Sequence, residues 1–416
     1  CRRSARPTVP EMTGGDGDHD RHEAGLSAAA RAAASSAIRD LLRHADRPDL
    51  ISLAGGIPAP HLFPSAELAT IAARRLGAGD GLQYGLTEGE LALRERIVEL
   101  HAAEGDEVRP DDVLVTTGSQ QALDLVGRVL VDPGDEVVVG DPLYVGALQA
   151  LRFQRPHLVT VPVDGHGFDV DALATRLADG VRPKLVHVVP NFDNPTGAEL
   201  AVQRREQLAT LADRYGFLIV EDDPYARLRF DGSPLPGLAA FTDRVIRLRS
   251  TSKIVAPGLR VGWLVGPPWL VQAATIAKQA VDLHTSTASQ VVLADLLARP
   301  GWLDTHIATL VPWYRAGRDA LVASVEAHLP DAAFTRPTGG MFVWLRLPGI
   351  DTSALLPAAL DAGVAYVPGA AFAVDRDLHD HLRLSFATAT PDELGSAVRR
   401  LATVARVPPG ADVAQR

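Results

Sequence analysis

The sequence predicts an α/β fold in which a mostly parallel sheet is covered by helices. Short runs rich in valine, isoleucine and leucine alternate along the chain with longer stretches of helical pattern. Apolar runs of this kind are typical of strands buried on both faces, and their alternation with helices is typical of parallel sheets. The 416 residues are enough for two or three domains, a large core and a deep cleft.

The individual elements follow from the same pattern. Strands are predicted at 113–117, 136–139, 185–189, 217–220, 245–248 and 261–265, with helices near 27–44, 89–103, from 119 and at 201–215. A long helical pattern at 268–329 is followed by strands at 341–345 and 382–386 mixed with helices. We therefore expect a disordered arm (1–25), a segment packing on the small domain and the active site (26–60), a large domain with a sheet of the seven-stranded type (61–300) and a small α+β domain (301–416).

Composition excludes several classes of protein. The net charge of −10 argues against nucleic acid as the main partner. The single cysteine, Cys1, excludes an internal disulfide framework and a cysteine-based metal cluster, and it fits the cytoplasm. We find no apolar run of membrane length and no signal-peptide pattern, so we expect no membrane partner.

Chemically useful residues follow the predicted strands. Ligands of open α/β sheets bind beyond the carboxyl ends of the strands. Gly118-Ser119-Gln120 follows the first of these strands and opens a helix, which is either a phosphate cup or a plain turn with a serine cap. Asn194-Pro195-Thr196-Gly197 follows 185–189 and is a turn signal by itself.

Two further segments carry ionisable groups. Glu221-Asp222-Asp223-Pro224-Tyr225 follows 217–220, and one of its carboxylates could be solvated, bind a metal or pair with a protonated ring nitrogen. A metal is disfavoured because no histidine or cysteine lies close by in sequence, so we expect no metal site. Lys253 lies between the hydroxyls of 250–252 and Arg260 in a chain with very few lysines, which favours a role for its amine.

Together the four segments offer a phosphate cup, an amide, a carboxylate with a phenol, and a lysine beside hydroxyls and an arginine. Pyridoxal phosphate needs this set, because it has a phosphate, a phenolic oxygen, a basic ring nitrogen and an aldehyde.

At these residues the chain resembles the fold-type I pyridoxal-phosphate enzymes, specifically the class I/II aminotransferases of the 2-aminoadipate/kynurenine branch, which also forms one domain of MocR-type regulators. The resemblance covers about residues 35–400. Its motifs are Ser52 to Pro58, Gln83-Tyr84-Gly85 with Gly89 and Leu93-Arg94, Gly118 to Leu123, Asn194 to Gly197, Asp222 to Tyr225, Ser250 to Arg260, Gly339 to Phe342, Val367-Pro368-Gly369 and Arg383 to Phe386.

The resemblance implies roles for the residues that meet the cofactor. Lys253 would bind its aldehyde and later carry a proton, and Asp222 would pair with its ring nitrogen. Tyr225 and Asn194 would bond its phenolic oxygen, and Tyr144 would stack on its ring. The phosphate would be held by Ser119, Gln120, Ser250, Ser252 and Arg260.

The resemblance also implies how substrate and a second subunit would bind. Arg383 would hold the substrate α-carboxylate by a two-point fork, which arginine supplies and lysine does not. Gly56 would let the substrate lie close to the backbone, and Asn194 would also contact it. Tyr84 would reach the phosphate in the neighbouring subunit, which implies a homodimer with shared active sites.

Two positions leave alternatives open. The family pattern has glutamine where this chain has Asp193, and this carboxylate either alters substrate charge preference or faces solvent, which we favour. Asp222 and Asp223 are both candidates for the ring nitrogen. We favour Asp222, because Tyr225 then follows three residues later, as in the family.

The function we expect is transfer of an amino group from an L-amino acid to a 2-oxo acid, 2-oxoglutarate or pyruvate, by a ping-pong mechanism. One alternative is a lyase, decarboxylase or oxidase, since the same fold and cofactor support those reactions. A remote alternative is a fragment of a MocR-type regulator, which would need a winged helix before the region of resemblance.

Arg39 is expected on the helix near 27–44, where it would either meet an acidic substrate side chain or lie on the surface. If it meets substrate, Arg39→Ala should weaken kcat/KM for acidic amino donors about tenfold or more, because a charged hydrogen bond is lost. Neutral donors should be little affected. Steady-state kinetics with matched donors measure this, and an equal loss for both classes would contradict the substrate role.

Overall fold

The computed structural model describes residues 25–32, 47 and 49–406. The disordered arm predicted at 1–25, most of the helix predicted near 27–44, and Arg39 therefore lie outside the described residues. Of that helix only its first turns are described.

The described residues form α-helices and short β-strands that alternate through most of the chain. The helices are α1 (Ala28–Ala32), α2 (Ser65–Gly77), α3 (Leu91–Ala102), α4 (Ser119–Leu130), α5 (Val145–Arg152), α6 (Val170–Ala178), α7 (Val202–Tyr215), α8 (Pro268–Val281), α9 (Thr287–Leu297), α10 (Trp302–His328), α11 (Thr352–Asp361) and α12 (Pro391–Ala405). The strands are β1 (Ile51–Ser52), β2 (Val113–Thr116), β3 (Glu136–Asp141), β4 (His157–Asp164), β5 (Gly167–Phe168), β6 (Leu185–Val188), β7 (Leu218–Asp222), β8 (Val245–Ser250), β9 (Gly262–Val265), β10 (Ala333–Phe334), β11 (Phe342–Arg346), β12 (Val364–Ala365), β13 (Val367–Pro368) and β14 (His381–Ser385).

Among the described residues, the large sheet has eight strands in the order β2-β9-β8-β7-β6-β3-β4-β5. Strands β8, β7, β6, β3 and β4 are mutually parallel, whereas β9 is antiparallel to both of its neighbours. Every residue of β2, β6 and β9 is buried, as expected for strands covered on both faces. The α/β fold predicted from the sequence is confirmed.

The sheet extends beyond the seven-stranded type because the two-residue strand β5 pairs antiparallel with β4 at one edge. The sequence pattern also missed β4. Its residues alternate irregularly between exposed and buried, and Pro162 lies within it. Proline removes a donor from the ladder, so it is tolerated near a sheet edge and weakens the strand signal there.

A second, four-stranded antiparallel sheet has the order β10-β11-β14-β13. Helix α10 packs against α12 beside this sheet. Strand β1 pairs in parallel with β12, with Ile51 opposite Val364. This pairing fixes the chain immediately before Gly55-Gly56 against the carboxyl-terminal part of the protein. Within the described residues, no helix has both the length and the apolar character that a bilayer crossing requires.

The parallel pairing sets the position of the functional segments. Val188 at the end of β6 lies opposite Glu221 of β7, and Asp222 lies opposite Leu248 of β8. The carboxyl ends of these three strands therefore meet at one edge of the sheet. The segments after 188, after 222 and after 250 are brought together there, as expected for an open α/β sheet.

Arg205 of α7 holds one of these segments from behind and is completely buried. Its guanidinium donates hydrogen bonds to the carbonyls of Leu200, Pro190 and Pro236 and to the side chain of Asn191. Because carbonyl oxygens inside a protein need donors, this one side chain stabilises the loop that runs from 190 to 200.

Arg205→Met should lower the free energy of unfolding by about 3 kcal/mol, because it leaves several buried acceptors without a donor. Arg214→Met on the same helix is the control. Arg214 is exposed and its guanidinium lies over the Tyr215 ring, so its loss should cost about 1 kcal/mol or less. Urea unfolding measures both, and equal effects would contradict the stabilising role of Arg205.

Candidate active site

A cavity of about 480 Å³ lies at the carboxyl edge of the parallel strands. Residues from both ends of the chain reach it, from the loop after β1 to strand β14. Three cationic side chains and one carboxylate are among the residues that line it. The lining residues are Gly55, Gly56, Ile57, Gly118, Ser119, Gln120, Tyr144, Val145, Gly146, Gln149, Val189, Asn194, Asp222, Pro224, Tyr225, Ser250, Ser252, Lys253, Arg260 and Arg383.

One end of the cavity is built to receive an anion. Gly118 adopts a φ of 77° at the start of α4, and a Cβ there would lie 2.6 Å from Nη2 of Arg260. The free N–H groups of this helix start and the Arg260 guanidinium thus face the same space. The Ser250 hydroxyl donates to that of Ser252 at 2.8 Å, so both hydroxyls lie at this end.

The Lys253 amine lies between this anion site and Gly56. Its Nζ donates a hydrogen bond to the Gly56 carbonyl at 2.8 Å. Burial lowers the pKa of Lys253 to about 8, and the positive charges of Arg383 and Arg260 act in the same direction. The amine therefore reaches its neutral, nucleophilic form close to neutral pH.

The two adjacent aspartates face different surroundings. Asp222 lines the cavity, and its Oδ1 is buried without a hydrogen-bond partner among the described residues. Asp223 lies on the other side, where its Oδ2 accepts hydrogen bonds from Asn191 at 2.6 Å and Arg249 at 2.5 Å. Only Asp222 of this pair is placed to meet a ligand in the cavity.

Arg383 closes the opposite end of the cavity and is 1% exposed. It donates to the Asn194 side chain at 2.7 Å and to the Ala54 carbonyl. Its Cζ lies 4.3 Å from the ring centroid of Phe342, which packs on the guanidinium face. Burial lowers the pKa of Arg383 to about 10, so an anion in the cavity would stabilise its charged form.

Two tyrosines complete the walls. Tyr225 is 5% exposed and packs edge-on against Phe342. Burial raises its pKa above the usual range, with a further contribution from Tyr144 and an opposing one from Arg383. Burial also raises the pKa of Tyr144, which precedes α5. Both phenols therefore remain protonated and can donate hydrogen bonds.

Gly56 is required at the cavity wall, because a Cβ there would lie 2.7 Å from Cζ of Phe342.

Tyr84, by contrast, does not line the cavity of its own chain. It is 79% exposed and contacts the His284 ring edge-on at 5.7 Å between centroids. The structure thus gathers the sequence-predicted residues in one place, apart from Tyr84 and the undescribed Arg39.

Several lining residues were missed by the sequence reasoning. Val145, Gly146 and Gln149 belong to α5, which begins directly after Tyr144. Val145 and Gln149 are four residues apart and so share one helix face. A helix assigned after Tyr144 would have pointed to them.

The expectation that Asp193 faces solvent is wrong, since this residue is 8% exposed and its carboxylate accepts a hydrogen bond from Thr196 at 2.7 Å. Its place in the turn buries it.

These residues fit pyridoxal phosphate. The helix start and Arg260 suit the phosphate, and the Lys253 amine suits the aldehyde. The buried Oδ1 of Asp222 carries no donor from the described protein, and a protonated ring nitrogen is a donor of the right charge. Cations at both ends of the cavity suit a ligand with a phosphate at one end and a carboxylate at the other.

Comparisons with known proteins agree with this geometry. The model of the family "Aminotransferase class I and II" matches residues 48–401. The chain is 42% identical to aromatic-amino-acid aminotransferase 1 of Thermococcus litoralis, over 88% of this chain and 91% of that protein. It is 41% identical to 2-aminoadipate transaminase of Thermus thermophilus, over 88% of this chain and 93% of that protein.

Solved structures give the same result. The kynurenine aminotransferase of Pyrococcus horikoshii superimposes with a TM-score of 0.88 at 40% identity, covering 94% of this chain and 98% of that one. The chain belongs to the class I and II aminotransferases, enzymes that use pyridoxal phosphate to move an amino group between an amino acid and a 2-oxo acid.

Proposed function

We propose that the cavity at the carboxyl edge of the sheet is the place where this chain performs both halves of the transamination, with Lys253 as its central residue. The observation that carries the proposal is the position of the Lys253 amine, between an anion site at Arg260 and a second one at Arg383. Bound pyridoxal phosphate supplies an aldehyde and an electron-withdrawing ring.

The chain's own residues then have separate tasks. Ser119, Gln120, Ser250, Ser252 and Arg260 bind the phosphate. Asp222 holds a proton on the ring nitrogen, and Tyr225 and Asn194 donate to the phenolic oxygen. Tyr144 covers the ring. Arg383 forms a two-point fork with the substrate α-carboxylate, and Gly56 leaves room for the substrate beside the backbone.

Arg383 and Lys253 together decide which bond of the substrate reacts. Because Arg383 holds the α-carboxylate at one end of the cavity, the α-hydrogen is directed toward the amine of Lys253. Lys253 Nζ takes that proton and later returns it, a task that suits a group whose pKa is about 8. Holding the carboxylate also disfavours its loss, which argues against a decarboxylase.

The substrates are proposed from the relatives. Those relatives are named for aromatic amino acids, 2-aminoadipate and kynurenine. We propose an amino donor of this size range and 2-oxoglutarate or pyruvate as acceptor. Arg39, outside the described residues, is the candidate for an acidic donor side chain.

The proposed assembly is a homodimer with shared sites. Three large side chains of one segment, Leu82, Tyr84 and Leu86, are 68%, 79% and 65% exposed, and Ile276 on α8 is 62% exposed. Apolar surface of this extent is typical of protein contacts. Such an interface would place Tyr84 at the partner's phosphate. A fully active monomer in sedimentation experiments would refute this arrangement.

The remaining organisation is also proposed. We propose a large domain at 61–300, a small one at 301–416 and a segment at 26–60 that packs on the small domain, in line with the β1–β12 pairing. The cytoplasm is the proposed location, since a chain with one cysteine needs no oxidising compartment for an internal disulfide.

Replacing Lys253 tests the proposal directly. Lys253→Ala should still bind pyridoxal phosphate through the phosphate site, yet lose turnover by about a thousandfold or more, because a proton carrier is removed. In the unsubstituted enzyme, an amino acid added alone should convert the cofactor to pyridoxamine phosphate and release one 2-oxo acid. Chromatography of the released cofactor measures this.

The matched control is Lys184→Ala, since Lys184 has a half-exposed side chain and pairs with Asp135 at 3.8 Å. Its turnover should equal that of the unsubstituted enzyme. Near-normal transamination by Lys253→Ala would contradict the role of Lys253. Release of ammonia with regeneration of pyridoxal phosphate would instead support a lyase or an oxidase.

The pH dependence of cofactor capture follows from the lowered pKa of Lys253. Only the neutral amine attacks an aldehyde, so capture by cofactor-free protein should accelerate as pH rises and level off above about 8. A lysine with the ordinary pKa of 10.5 would keep accelerating well beyond that point. Stopped-flow absorbance measures the rate, and a plateau reached only near pH 10 would contradict the assignment.

A further inference from the structure

One buried lysine has no part in the roles above. The sequence contains three lysines, and Lys278 on α8 is 0% exposed. Its Nζ donates hydrogen bonds to Oδ1 and Oδ2 of Asp282 at 2.8 and 2.9 Å, and to Oε1 of Gln121 at 2.7 Å. Lysine is almost never fully buried unless it is paired, so this amine marks a polar cluster inside the protein.

The cluster converges on the carboxylate of Asp282, which directly follows α8. Oδ2 of Asp282 also accepts hydrogen bonds from Nε2 of Gln121 at 2.7 Å and from Oγ1 of Thr117 at 2.9 Å. Burial acts to raise the pKa of Asp282, but the hydrogen bonds from Lys278 and Gln121 outweigh it and the pKa is lowered. The carboxylate is therefore ionised at neutral pH and can accept all of these bonds. We call Thr117, Gln121, Lys278 and Asp282 the Lys278 cluster.

The Lys278 cluster reaches the anion site through Thr117, the residue before Gly118 and the start of α4. The backbone N–H of Thr117 donates to Oε1 of Gln121 at 2.7 Å, and its hydroxyl donates to Asp282. Its carbonyl accepts a hydrogen bond from Nη2 of Arg260 at 3.2 Å. Thr117 is thus held at three atoms, and one of these bonds joins it to the guanidinium that faces the anion site.

The cluster contributes geometry to the anion site rather than charge. Lys278 and Asp282 are neutral in sum, so the positive potential comes from Arg260 and the helix start. Gly118 at the start of α4 leaves the first N–H groups free for a ligand, but it has no side chain that could fix the turn, and glycine has the greatest conformational freedom. Gln121 and Asp282 hold this turn in place of a capping side chain.

We propose that Lys278 and Asp282 are positioning residues for the cofactor phosphate, which hold Thr117 and Gln121 so that the first N–H groups of α4 and the Arg260 guanidinium face one point. The inference rests on the proposed function, in which Arg260 and the start of α4 bind that phosphate. It gives a purpose to the fully buried lysine and to Gln121, which the roles above leave out.

The main test variant is Lys278→Met combined with Asp282→Leu, which removes the cluster without leaving a charge unpaired. The first readout compares the Kd of pyridoxal phosphate with the Kd of pyridoxal, which lacks the phosphate, for the full-length protein freed of cofactor. The second is the ³¹P chemical shift of bound pyridoxal phosphate. The matched control is Asp124→Leu combined with Arg128→Met. This ion pair has the same spacing of four residues and a similarly exposed aspartate, 24% against 27%, but it lies more than one turn beyond the start of α4.

In the main variant the Kd of pyridoxal phosphate should rise about tenfold, as expected when charged hydrogen bonds are misplaced, and the ³¹P shift should change. The Kd of pyridoxal should stay the same, because the cluster acts only on the phosphate. The control should leave both Kd values unchanged. Thr117→Val removes one donor to Asp282 and no charge, so it should give the same selective loss at about threefold. It keeps the test decisive if the double variant does not fold.

Equal losses for pyridoxal phosphate and pyridoxal would indicate a general packing defect and overturn the proposal. An unchanged Kd of pyridoxal phosphate in the folded double variant would also overturn it, as would an unchanged Kd in Thr117→Val if the double variant does not fold.

Arg260→Met separates this inference from the proposed function. If it weakens pyridoxal phosphate selectively and the cluster variants do not, the positioning role is wrong while the phosphate site stands. If Arg260→Met shows no selective loss, the phosphate site itself is misassigned and the positioning role falls with it.

Discussion

The burial of Lys253 beside two arginines is the electrostatic constraint on which the site depends. Taking the amine out of water and placing Arg383 and Arg260 near it lowers its pKa to about 8. Arg383 is itself poorly solvated, since it is 1% exposed and stacked on Phe342. A ligand with an anionic group at each end would pair with both arginines and place its middle beside the amine of Lys253. Cofactor binding, substrate orientation and lysine reactivity therefore share one physical origin.

Lys253 and the two arginines keep these positions only if the strand ends around the cavity cannot move apart. Buried charged groups behind the cavity hold those strand ends in place. Arg249 of β8 contacts Glu221 at 3.2 Å and Asp223 at 2.5 Å, and so ties β8 to β7 beneath the site. Arg205 does the same for the loop before Asn194. Buried arginines with several acceptors specify one arrangement of the backbone, because each displaced partner would remain buried without a hydrogen bond.

Local sequence signals were sufficient for the strand that ends at Asp222 and for the one that precedes Lys253, since buried parallel strands have short, strongly apolar patterns. They were also sufficient for the start of α4, where a glycine precedes a serine. They failed where tertiary contacts decide. Strand β4 is partly exposed and contains a proline, and Asp193 is buried only because its turn folds against the sheet. The contribution of α5 to the cavity was missed for a different reason, because no helix was assigned directly after Tyr144.

The alternation of side chains along a strand could have separated the roles of the three consecutive acids 221–223 from the sequence alone. Side chains on a strand alternate between its two faces, so Glu221 and Asp223 share one face and Asp222 has the other. The structure follows this rule: Glu221 and Asp223 both meet Arg249, and Asp222 lines the cavity. The alternation separates the acids that stabilise the sheet from the acid that faces the ligand. To assign the two faces, one needs only the direction of the Val220 side chain. Val220 lies two residues before Asp222, points to the same face of the strand and packs in the core. The same rule on the neighbouring strand β6 places His187 on that face as well, and its Nε2 lies 3.6 Å from Oδ2 of Asp222.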